Sequence, residues 1–148
     1  MGADLYLYSL HNVCEEKYKP LFDKWVKTRD EATSDEAKDK AQKKVSFYYD
    51  AMMSDGYFRD SYNNSSLFWQ YELSWWSDLG EMLDKEGYLA VDECKKLLAM
   101  LEENNETFEE NVGKLDLEAR EYFIKKDITF KNFLKQAIEL DEPIYCSI

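Results

Sequence analysis

The sequence predicts a mainly α-helical fold, and three observations carry that prediction. Apolar residues recur at three- and four-residue spacing through most of the chain; a T-x-x-E helix start opens one of the longest such runs; and Gly56, Gly87, Gly113 and Pro143 fall at the gaps between runs. At 148 residues the chain is expected to form a single globular domain, 1–148, of five or six helices, large enough to bury roughly 68–70% of its unfolded surface. A short strand is expected at the N-terminus, available for pairing with the C-terminal segment.

That strand is read from ADLYLYSL, where Leu5 and Leu7 alternate with Tyr6 and Tyr8 in a period of two. Ile144, Tyr145 and Cys146 could pair with it if the chain ends meet. A first helix from about Glu15 to Arg29 follows from Tyr18, Leu21, Phe22, Trp25 and Val26, with Pro20 tolerable in its first turn. A second starts at Thr33, with Glu36 reaching back to it, and presents Ala37, Ala41, Val45, Tyr48 and Met52. Asp55-Gly56 ends it, and the polar run Ser61 to Ser66 is irregular.

A third helix is expected from Ser66 to Asp84, apolar almost all round in its first half. A helix of that kind is buried or bound to something. The fourth begins at Asp92 and Glu93 and carries the seam Cys94, Leu97, Leu98, Leu101, Asn105, Phe108, Val112 up to Gly113. Two shorter helices close the chain, Asp116 to Lys126 and Phe130 to Leu140, the second capped by Thr129 with Ile128 and Phe133 as a staple.

Composition narrows the functional class. A hydrophobic fraction of 45% with 16% aromatics argues against disorder even at 34% charged residues. Three cysteines at unrelated spacings, with no apolar leader, fit free thiols in the cytoplasm. No apolar run approaches the ~18 residues of a membrane span. A net charge of −12 repels nucleic acid and anionic membranes and attracts basic partners.

Familiar chemistry finds little footing. The spacing around Gly87 and Glu93 fits a calcium loop only if Met82 takes the first ligand position, where an aspartate is needed, so an ordinary connection between helices is the better reading. His11 and Cys14 could join Cys94 and Cys146 around zinc, but zinc sites use two close pairs and only one is present. The single histidine and the absence of a glycine-rich phosphate loop leave no catalytic template. No catalytic residue, metal or cofactor is therefore assigned.

Two regions remain as binding candidates. Glu102, Glu103, Glu106, Glu109 and Glu110 lie in EENNETFEE without a base, although like charges at i,i+4 cost a helix a few tenths of a kcal/mol per pair. Such a stripe could imitate a phosphate backbone for a protein with a basic groove; a merely solvated face is the competing reading. The other region is Tyr57 to Trp76, holding eight aromatic residues and three of the four tryptophans. There Arg59, Asp60, Tyr62, Asn63 and Asn64, flanked by Tyr57 and Trp69, offer a guanidinium fork, amides and rings for a small ligand, or else an internal brace under an aromatic core.

With YFRDSYN, the opening MGADLYL and the later LSWW, the sequence resembles a group of small uncharacterised proteins, largely encoded by bacteriophages, that begin MGxDxYL and carry a similar aromatic-Arg-Asp motif. The resemblance covers the first ten residues and positions 57 to 76, and brings no activity with it. What it implies is a viral accessory role in the cytoplasm of a host cell. The expected function is thus a non-enzymatic interaction protein that inhibits a host nucleic-acid-binding defence complex, such as a CRISPR system, by nucleic-acid mimicry through its acidic helices. A nucleotide- or phosphate-binding protein using the Arg59 region is the alternative, and a virion or assembly component the third.

Overall fold

The computed structural model describes residues 2–148, which are mostly helical with a small four-stranded sheet. In chain order the elements are β1 (Gly2–Tyr6), α1 (Tyr8–Glu31), α2 (Asp35–Met52), β2 (Tyr57–Ser61), α3 (Leu67–Gln70), a π-helical turn (Trp75–Leu79), a 3₁₀ turn (Gly80–Met82), β3 (Tyr88–Leu89), α4 (Val91–Glu103), α5 (Asn105–Gly113), α6 (Leu117–Leu140) and β4 (Ile144–Ser147). They divide into two compact units, one of Tyr8–Tyr57 and one of Met1–Leu7 with Phe58–Ile148. No helix among the described residues is long and apolar enough to cross a membrane.

The Tyr8–Tyr57 unit is a helical hairpin. Tyr18 meets Tyr48, Phe22 meets Tyr49, and the Arg29 guanidinium donates to Gln42 Oε1 at 2.8 Å, which sets α1 and α2 antiparallel. The first helix begins at Tyr8 rather than Glu15, so Pro20 sits in its interior instead of its first turn. Proline there removes one backbone donor, and the helix tolerates it on an exposed face. Ser34, not Thr33, caps α2, its Oγ accepting from the Ala37 N–H.

In the other unit the sheet order is β2-β1-β4-β3, with Asp4 opposite Ser147 and Tyr6 opposite Tyr145 in antiparallel register. The chain ends therefore pair as the alternating Leu and Tyr pattern implied. Leu5 and Leu7 are fully buried, as are Ile144 and Leu89. β3, which the sequence reading left within a helix connection, follows a turn in which Asp84 Oδ1 accepts from the N–H groups of Glu86 and Tyr88, with Gly87 at φ 89°. The region weighed as a calcium loop is thus a turn leading into an edge strand that pairs with β4.

Three further helix boundaries differ from expectation, two of them for a tertiary reason. The continuous helix Ser66 to Asp84 is instead α3 and a π turn separated by a reversal. A straight helix would set positions 68 and 75 about 10.5 Å apart along its axis. Here the chain folds back so that the Phe68 and Trp75 rings stack at 3.6 Å and 5°. Glu72, at φ 56°, makes the reversal: its N–H donates to Trp69 O and the Leu73 N–H to Phe68 O, the paired bonds of a left-handed helix stop. The expected fourth helix is interrupted at Asn104, which ends α4 and begins α5. Conversely, the two expected C-terminal helices are one, α6, because Asp127 is a buried polar contact inside the helix rather than a break. Thr129 does not cap; its hydroxyl donates to Lys125 O in mid-helix, and Ile128, expected in a staple, is 55% exposed.

The core of this unit is aromatic. Phe58 packs on Phe130 at 4.7 Å, Phe130 meets the edges of Phe68 and Trp75, and Tyr71 stacks on Phe108 at 4.6 Å.

Candidate functional site

Two charged side chains hold this core in place. β2 alternates Phe58 and Asp60 inward with Arg59 outward, so Asp60 is forced below the surface, where it is 1% exposed. Its carboxylate accepts from the Leu67 N–H at 2.9 Å, the Phe68 N–H at 3.1 Å and the Trp75 indole N–H at 2.9 Å, and pairs with Lys126 Nζ at 3.0 Å. Every lone pair in reach is taken, as a buried carboxylate requires. Directly after Lys126 on α6, Asp127 accepts from the Tyr71 hydroxyl and from Lys131 Nζ at 2.9 Å. Burial, then the Asp127 hydrogen bond and charge, push the Tyr71 phenol far above its ordinary value.

The residues read as one polar-aromatic pocket separate into different surroundings. Arg59 and Tyr62 line an open groove of about 410 Å³ together with Gly2, Asp4 and Trp76. Arg59 lies 3.5 Å from Asp4 on the neighbouring strand, and the Tyr62 and Trp76 rings approach to 4.5 Å. Burial and the Asp4 charge raise the Tyr62 phenol, partly offset by Arg59 and a hydrogen bond with Trp76. Asp60 is turned into the core, Tyr57 packs near the His11 ring, and Asn63 Oδ1 accepts from the Ser65 N–H in a local turn. Trp69, 57% exposed, belongs to a second cavity of about 570 Å³ with Glu72, Ser74, Asp78 and Asn111.

The acidic stripe is fully on the surface. Glu102, Glu103, Glu106, Glu109 and Glu110 are all exposed, while Leu101, Phe108 and Val112 turn the other face of α4 and α5 into the core. No lysine or arginine occurs from Leu97 to Gly113, and none of the five glutamates forms a salt bridge with a described residue. The two lysines earlier on α4, Lys95 and Lys96, are engaged by Asp92 and Glu93. The charge is also uneven along the chain: the unit of Met1–Leu7 and Phe58–Ile148 holds 21 of 31 acidic and 10 of 19 basic residues, a net −11 of the total −12.

The sequence reading did not find the cavity at Trp69. Its signal was present in Ser74 and Asp78: Ser74 Oγ accepts from the Trp76 and Ser77 N–H groups while Asp78 Oδ2 accepts from the Ser74 N–H at 2.7 Å, a reciprocal cap that marks a helix start within the supposed continuous helix. Among the described residues no three His, Cys, Asp or Glu side chains group as a metal site. Comparison of the chain with protein-family models, with curated proteins and with solved structures finds no significant match.

Proposed function

We propose that the chain is a non-enzymatic interaction protein whose α4–α5 face docks on the basic surface of a nucleic-acid-binding protein and blocks it by imitating a nucleic-acid backbone. In the phage setting that the sequence resemblance implies, the partner is a host defence complex. The observation that carries this reading is the five-glutamate surface without a neutralising base. Like-charge repulsion costs the free protein stability, and a cationic groove would relieve it. Association should be fast and salt-sensitive, because exposed charges steer encounter and are screened beyond about 8 Å at physiological ionic strength.

The test is charge reversal. Replacing Glu102, Glu106 and Glu109 with Lys should abolish capture of the partner from a host lysate at low salt, and raising salt should do the same to the unmodified protein. Capture that is indifferent to both changes overturns the reading.

A second reading is favoured by the groove at Arg59, where a guanidinium and two rings converge in about 410 Å³. It would suit a nucleotide or other phosphorylated small molecule. Thermal shift against such a panel tests it, since a ligand at 100 times its dissociation constant stabilises by about 2.7 kcal/mol.

A further inference from the structure

We infer that the cavity beside α5 is a cation cage that receives an arginine side chain from the partner protein. The inference deepens the acidic-face reading and rests on it. The cavity encloses about 570 Å³, within the usual range for a ligand pocket. Its wall includes the Trp69 indole, 57% exposed, while its neighbours Phe68, Tyr71 and Trp75 are packed in the core. Two carboxylates, Glu72 and Asp78, lie on the same cavity, and no lysine or arginine does.

These three features select the ligand. An indole face attracts a cation, arginine more often than lysine, because a guanidinium is flat and can stack while its edge hydrogen-bonds. The carboxylates supply acceptors for that edge. Asp78 is held in place because its Oδ2 accepts from the Ser74 N–H, which leaves Oδ1 for an incoming donor. Leu73, also on the wall, offers apolar surface to the methylene stem. An anion would meet two negative charges with no counter-charge. The cage is tied to the acidic helix through Asn111, whose Nδ2 donates to Gln70 O at 3.0 Å and which follows Glu110 directly. An arginine on a basic surface drawn to the glutamates would therefore find a seat next to them.

The test is an NMR titration of the Trp69 indole N–H, assigned by its loss in Trp69→Phe, with the blocked tripeptide Gly-Arg-Gly and its lysine and citrulline counterparts. A single side chain should bind with a dissociation constant of about 1–10 mM. A saturable shift with arginine, at least several-fold weaker with lysine and absent with citrulline, is expected, and Glu72→Gln with Asp78→Asn should weaken it at least tenfold. No saturable shift, an equal response to citrulline or to lysine, or an arginine response unaltered in the double variant overturns the cage. The two readings fail separately: without a cage, partner capture still responds to reversal of Glu102, Glu106 and Glu109; without a functional acidic face, the arginine titration is unchanged.

Discussion

Lys126 on α6 places its ammonium 3.0 Å from the fully buried Asp60 carboxylate on β2. That contact joins the strand to the longest helix of its unit, and Asp60 at the same time holds the N-terminus of α3 and the Trp75 indole. Removing one partner of a buried pair leaves an uncompensated charge and costs about 3–5 kcal/mol. Asp60→Ala and Lys126→Met should each lower stability by that order in urea unfolding, and the double variant should cost clearly less than the two together.

Gly2 should be intolerant of a side chain. A Cβ there would lie 2.5 Å from the Asp60 backbone oxygen and 3.3 Å from Arg59 Nε. Gly2→Ala must push β1 from β2, which overpacking costs place at about 1–3 kcal/mol. A thermal midpoint equal to that of the unmodified protein would contradict the close approach.

Stability should fall at alkaline pH. Burial raises the Cys94 and Cys146 thiols to about 12, in Cys146 with a contribution from Cys94, and raises Tyr71 higher still. Each group keeps its proton in the folded state after the unfolded chain has released it. The contribution is therefore intact below the ordinary values of 9.0 for the thiols and 10.0 for the phenol, and declines as pH rises above them. The slope is at most about 1.4 kcal/mol per pH unit for each group. In urea midpoints measured across this range, Cys94→Ala with Cys146→Ala should start lower, through lost packing, but decline less steeply between 9.0 and 10.0.

Neutralising the acidic face should stabilise the free protein while weakening partner binding. Glu106 lies four residues before Glu110 on α5. Glu106→Gln should add about 0.2–0.5 kcal/mol at low salt by relieving that pair, and the gain should vanish at high salt. A variant that gains stability and keeps full partner affinity would show the face to be merely solvated.

Glu72 should behave likewise. A non-glycine residue in the left-handed region costs roughly 1–2 kcal/mol, whereas glycine adopts it freely at a cost of about 0.5–1 kcal/mol in unfolded-state entropy. Glu72→Gly should therefore raise stability by up to about 1 kcal/mol. Asp141, at φ 53° in the corresponding turn after α6, should gain less, since aspartate tolerates this conformation better than glutamate does.

The sequence alone determined the helical class, the terminal strands and the surface position of the five glutamates. These follow from local periodicity and charge, which a linear reading registers directly. Only the tertiary structure decided how the aromatic stretch divides. Nothing near Asp60 in sequence announces Lys126, sixty-six positions on, and it is this pairing, with the indole bond to Trp75, that turns Asp60 inward while leaving Arg59 outside. The stacking of Phe68 on Trp75 breaks a helix that periodicity would have continued, and the break opens the cavity at Trp69, Glu72 and Asp78. Asp127 and Thr129 looked like an interruption because polar residues often mark helix ends; a tyrosine from a distant turn satisfies the carboxylate, so α6 runs through. Helix limits and pockets here depend on which distant groups meet buried donors and acceptors, and local propensity does not encode that.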